Sequence, residues 1–149
     1  MFNSKNILYI LTMLESIEKI FIYSSDFEDE EKFYFANKQL NFNATANLLI
    51  AIGEENKKID DDLKISNRIN WKNISAMRDK ISHNYRGIDE SMVWEIIKEY
   101  LPILKELLIE MLPKIEDSKL YIEEALKTQC YEELYYLKEI PTNMSKIDK

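Results

Sequence analysis

Punctuation is scarce in this chain. Its 149 residues include only two glycines and three prolines, so the backbone has few places for the tight turns that a meander of short strands requires. Apolar residues instead recur at spacings of three and four, the period of a helix with one buried face. A bundle of long helices joined by polar connections follows, and the fold class expected is all-α.

From Ser4, which the pattern marks as an N-cap, the residues Ile7, Ile10, Leu11, Leu14, Ile17 and Phe21 define a first amphipathic helix ending near Ser24-Ser25. Asp26 or Asp29 opens a short second helix through Phe33 and Phe35. A third, about Leu40 to Lys57, is apolar over more than one face and so is expected at the centre. Gly53 lies inside it, where glycine costs up to about 1 kcal/mol, and this predicts a close helix approach. After a polar connection from Asp60 to Asn67, a helix from about Trp71 to Asn84 turns Trp71, Ile74, Met77 and Ile81 inward, with Gly87 as its stop. Asp89 or Ser91 caps a longer helix reaching Met111 and bent at Pro102. A last amphipathic segment runs from Ile115 to about Leu137, with Leu120, Tyr121, Leu126, Tyr131, Leu134 and Tyr135 on its pattern, and the tail from Pro141 frays.

A chain of this length makes one domain with a real core. No apolar run approaches the roughly 18 residues of a membrane span. The start, Met1 to Lys5, leads into an amphipathic pattern rather than a signal peptide, so a cytoplasmic protein without membrane contact is expected. The single cysteine, Cys130, excludes an internal disulfide, and with one histidine it cannot build a Cys/His metal site; no metal and no cofactor are expected. The net charge of −7 argues against general coating of nucleic acid, but the charge is unevenly spread. Between Lys64 and Arg86 stand Lys64, Arg68, Lys72, Arg78, Lys80 and Arg86 against the single acid Asp79. All three arginines of the chain lie there, and arginine is the side chain suited to bidentate phosphate contact. The cluster reads either as a solvated face or as a phosphate-binding cleft.

Within that window Arg78 precedes His83, the only histidine, by five residues, and Tyr85 follows it by two. A lone histidine in this composition would have both neighbours by chance about 0.1% of the time. Five residues advance a helix by about 7.5 Å and turn it by about 140°, so the pair is not a stacked salt-bridge spacing. In the last helical turn the helix C-terminus favours the protonated imidazole while nearby arginine opposes it, and such a histidine titrates near neutrality. Asp79, at i and i+4 from His83, is placed to orient the ring. These groups suit RNA cleavage: His83 takes the proton of a ribose 2′-hydroxyl, and Arg78 stabilises the charge that develops on the phosphate. One histidine cannot easily be both base and leaving-group acid, so a homodimer with its site across the two-fold interface is expected.

The Arg78-x4-His83-x-Tyr85 motif resembles the signature of HepT-type toxins, a branch of the HEPN superfamily of helical bundles. The likeness extends from about Tyr9 to Leu104, through Leu11-x-Met13-Leu14, the run Leu49 to Glu54, Trp71-x-x-Ile74-x-x-Met77-Arg78-Asp79, Val93-Trp94 and Leu101-Pro102. It implies an up-and-down dimeric bundle, with residues 1–112 as the core, 113–140 as a C-terminal helix packed on the same domain and 141–149 as a flexible tail. It also implies a ribonuclease toxin with Arg78 and His83 as the catalytic pair, supported by Asp79. Lys72, Lys80 and Arg86 would contact RNA. The partner implied is a small MNT-type nucleotidyltransferase antitoxin that adenylylates Tyr85, adding bulk and negative charge beside the cleft. The alternative is a non-catalytic HEPN module that binds the nucleotidyltransferase and helps place its substrate. A third reading is a structural dimer joined through opposite charges, whose association salt would weaken.

Overall fold

The computed structural model describes residues 1–83 and 87–139, with Ser82 and His83 described by their backbone alone. The expected helix end at Asn84, the motif residue Tyr85, the RNA-contact candidate Arg86 and the expected tail lie outside these. The described residues form an all-α bundle: α1 (Lys5–Ser24), α2 (Glu30–Phe35), α3 (Leu40–Lys58), α4 (Trp71–His83), α5 (Glu90–Glu95), α6 (Leu101–Met111) and α7 (Ser118–Ala125). None of these helices is long and apolar enough to cross a membrane.

Of the inner stripe expected for α1, Ile7, Ile10, Leu11, Leu14 and Ile17 are buried and Phe21 is half-buried, and Met13 and Ile20 are buried with them. α1 packs on α3, α6, α7 and the C-terminal segment, and α3 lies between α1 and α4, as expected of a central element. Ser4 is not the cap of α1: its own backbone is already helical, at φ −60° and ψ −18°, and its side chain makes no capping bond. Asn3 does that work, its Oδ1 accepting from Lys5 N at 2.8 Å. The shift follows from Phe2, which is bridged to the segment after α6 by Phe2 N donating to Lys114 O and Glu116 N donating to Phe2 O, at 3.1 and 2.9 Å. The extended chain therefore turns into the helix at Asn3.

Asp29 caps α2 by accepting from Lys32 N at 2.8 Å. Phe33 is fully buried there, its ring 5.8, 6.1 and 5.5 Å from those of Phe27, Phe42 and Trp94, which joins α2 to α3 and α5. The link to α3 passes through three consecutive left-handed residues, Asn37, Lys38 and Gln39, with φ of 51°, 58° and 71°. Such a backbone is unfavourable for residues with a Cβ. It is held by Asn37 Nδ2 donating to Asn41 Oδ1 and by Asn41 Nδ2 donating to Tyr23 O at the end of α1, at 2.8 and 2.9 Å.

Asp89 is the cap of α5, accepting from Ser91 N and Met92 N at 2.9 and 3.2 Å. The single bent helix expected to follow is three pieces, because α5 and α6 are separated by a π turn, Ile96–Tyr100. Pro102 has no N–H to give, and its ring would meet the carbonyl four residues earlier. The chain widens just ahead of it, with Leu101 N donating to Ile96 O across five residues.

The last amphipathic segment is also not one helix. It divides into α7 and a 3₁₀ stretch, Gln129–Glu139. Thr128 Oγ1 donates to Ala125 O at 2.8 Å, competing for the carbonyl that would carry the helix onward. Ile122, Leu134 and Leu137 are buried while Leu120, Tyr121 and Tyr135 face solvent.

Tyr136 of the 3₁₀ stretch places its hydroxyl in the interior near Glu18 of α1, whose Oε1 lies 2.6 Å from Lys105 Nζ of α6. Burial first, and the Glu18 carboxylate second, push the phenol well above its usual value of 10.0. The folded state then keeps a proton that the unfolded chain releases, so stability falls as pH rises through about 10. Urea titrations at about pH 8 and about pH 10.5 should show a steeper alkaline loss for the native chain than for Tyr136→Phe. Equal losses would mean that the phenol titrates alike in both states.

Candidate active site

The two helices that carry the site touch where α3 has no side chain. A Cβ built on Gly53 would lie 3.1 Å from Ile74 O and 3.2 Å from both Arg78 N and Arg78 Cβ. The close approach expected at this glycine is therefore present, and it falls at the motif arginine itself. On the other side of the contact Ile74, Met77 and Ile81 of α4 are buried. Farther along the helix, Asn56 of α3 is fully buried, and its Nδ2 donates to Trp71 O at 3.1 Å and to Ser75 Oγ at 2.9 Å. Glycine lets the backbones meet, and the asparagine fixes their register.

The next residue on α3 is Glu54, and its Oε1 lies 2.8 Å from Arg78 Nε. Arg78 Nη1 lies 3.1 Å from Asp79 Oδ1. The guanidinium is thus held by two carboxylates from two helices. All three side chains are roughly half exposed, at 43%, 43% and 54% for Arg78, Glu54 and Asp79. Ion pairs so open to water contribute about 0–1 kcal/mol, so this arrangement does little for stability. It fixes the direction of a planar, permanently charged group.

His83 is the last described residue of α4, in helical register with Asp79 and Lys72. Asp79 pairs with Arg78, and the contact expected between it and the histidine ring lies outside the described side chains. Glu54 escaped the sequence reading as a site residue. The available signal was a carboxylate directly after a mid-helix glycine, in a chain whose basic residues gather on another helix.

The basic window does not act as one surface. Lys64 donates to Asn56 O at 2.8 Å and pairs with Asp61 at 3.3 Å, its side chain only 8% exposed. Arg68 pairs with Glu106 at 2.6 Å and reaches Glu110 at 4.0 Å. Both cations are committed to contacts within the fold. Lys72 and Lys80 are exposed on α4, on either side of the register of His83.

An all-α bundle whose fourth helix carries Arg78 and His83 is of the HEPN type. The family model described as "Ribonuclease HepT-like" matches residues 13–111, and the chain belongs to that family. A Thermococcus cleftensis protein named "Probable ribonuclease HepT" is 35% identical over 100 residues, 65% of this chain and 86% of that one. Two Methanocaldococcus jannaschii proteins are also similar. One, whose name joins a gamma-glutamylcyclotransferase to a provisional RNase assignment, is 31% identical over 113 residues, 75% of this chain. The match spans only 50% of that relative's length. The other, provisionally named an RNase, is 32% identical over 109 residues, 72% of this chain and 88% of that one. No solved structure matches the chain significantly.

Proposed function

We propose that this protein is the toxin of a toxin–antitoxin pair, a metal-independent endoribonuclease acting as a homodimer and built on residues 1–112, with 113–140 packed against them as an accessory segment. The observation that carries the reading is the placement of Arg78. Its guanidinium is fixed by Glu54 and Asp79 on the helix that carries His83.

In this reading His83 removes the proton of a ribose 2′-hydroxyl. The 2′-oxygen attacks the adjacent phosphorus, and the bond to the 5′-oxygen breaks. The leaving oxygen takes a proton from the histidine of the second protomer, so the products are a 2′,3′-cyclic phosphate and a 5′-hydroxyl. Arg78 stabilises the extra negative charge on the phosphoryl oxygens as they pass through five-coordination. Asp79 and Glu54 hold it in place, and Lys72, Lys80 and Arg86 receive the flanking phosphates. Binding should be salt-dependent and weak for a chain of net charge −7. A nucleotidyltransferase antitoxin adenylylates Tyr85, and the added charge and bulk oppose RNA binding.

The rival, a non-catalytic module that presents substrate to the nucleotidyltransferase, draws on the same ion pairs: an arginine already matched by two carboxylates needs no phosphate. Purified protein made without a nucleotidyltransferase separates the two. Single-stranded RNA in EDTA should be cut to cyclic-phosphate ends, and the same strand with 2′-deoxyribose throughout should stay intact. Cutting of the deoxy strand, or none of the RNA by a folded dimer, would abandon the mechanism.

A further inference from the structure

The groove between α4 and the π turn has a part in the mechanism above through Lys80 alone. Ile74, Met77 and Ile96 form its floor, and Asn73, Lys80, Glu95 and Tyr100 stand around its rim. Tyr100 and Asn70 also line a second, more open depression that contains Lys72 and Ser75. Tyr100 therefore stands where the two meet, 43% exposed, at the end of the π turn that Pro102 enforces. Resting on the ribonuclease reading, we propose that this groove is a subsite for one unpaired nucleobase of a single-stranded RNA substrate.

The chemistry of the lining selects this occupant. A base has flat apolar faces and a polar edge, and the groove pairs an apolar floor with a polar rim. A phosphate alone would gain nothing from Ile74, Met77 and Ile96, and would be repelled by Glu95. A base edge can give an N–H to the Glu95 carboxylate and exchange hydrogen bonds with the Asn73 amide. Asn70 is held rigid beside it, since its Oδ1 accepts from Asn73 N at 3.2 Å as the cap of α4. Tyr100 supplies the ring on which a base stacks, the sequence-tolerant contact typical of single-strand binding.

Charge gives the strand a direction. Lys72 lies in the neighbouring depression and Lys80 on the rim. Lys80 also precedes His83 by three residues, one helical turn. A strand with one base seated in the groove thus has its phosphates beside lysines and its next linkage directed toward the end of α4.

The test uses the full chain with a short 2′-O-methyl oligonucleotide, which has no 2′-hydroxyl to attack, and its abasic counterpart, both followed by fluorescence anisotropy. The native protein should bind the base-bearing strand about tenfold more tightly. Tyr100→Ala and Asn73→Ala should reduce that ratio toward unity, Tyr100→Phe should keep it, and Lys72→Ala should weaken both strands alike. Circular dichroism checks that the variants fold. Equal affinity for the two strands, no binding of either, or a ratio indifferent to Tyr100→Ala would overturn the subsite; the last result would leave the groove to a protein partner. A ratio that persists in a protein unable to cut RNA keeps the subsite and removes the nuclease. Cutting without any ratio does the reverse.

Discussion

His83→Ala protein is expected to keep its thermal midpoint and to cleave single-stranded RNA about 10²–10⁴-fold more slowly, the usual contribution of a positioned acid or base. The chain has no second histidine to take over the proton. His83 is the last described residue of α4. In the proposed mechanism one histidine acts as base and the histidine of the second protomer as acid. The native rate should therefore pass through a maximum with pH, and added imidazole should restore part of the rate lost in His83→Ala. A variant that cleaves like the native protein would move the proton transfer to another group and end the catalytic assignment.

Gly53→Val should lower stability and cleavage together. The added Cβ meets backbone atoms of α4 at 3.1 and 3.2 Å, and backbone cannot rotate away as a side-chain tip can. The helices must separate at the position of Arg78. Overpacking of this kind costs about 1–3 kcal/mol, and each kcal/mol lowers the melting temperature by about 2–4 °C in a chain somewhat over this size. Gly53→Ala should cost less, because alanine recovers up to about 1 kcal/mol of helix propensity. Glu54→Gln removes a half-exposed ion pair and should change stability by no more than about 1 kcal/mol while slowing cleavage. Melting curves and initial rates on the three variants separate packing from orientation. Full activity and an unchanged melting curve for Gly53→Val would show that the α3–α4 contact does not set the position of Arg78.

Much of the fold could be read from local chemistry. Asp29 and Asp89 cap helices because a carboxylate ahead of an amphipathic run satisfies open N–H groups nearby in sequence. The stripe Ile74, Met77, Ile81 and the helix approach at Gly53 were legible for the same reason. Ser4 failed as a cap because a bridge from Phe2 to the distant segment after α6 decides where the chain turns. The final segment failed because one hydroxyl, that of Thr128, diverts a carbonyl, and a hydrophobic pattern does not register that loss. At the site, Arg78 and His83 stood out through their spacing. Glu54 did not, since its partner is 24 positions away and only folding brings them together. The basic window misled for the converse reason: Lys64 and Arg68 find acceptors and acids that a count of nearby charges cannot see.

The left-handed tripeptide Asn37-Lys38-Gln39 bears on how this chain can tolerate changes of length. A helix turns by about 100° per residue. One residue inserted or removed between Phe35 and Leu40, if passed on to α3, would swing Gly53 off the α4 backbone and carry Glu54 away from Arg78. Because Asn41 ties the start of α3 to Tyr23 O, the link has little slack to absorb such a change. A viable insertion ahead of α3 would have to restore the phase of the helix, so the spacing between α2 and α3 is part of the site although none of those residues touches it.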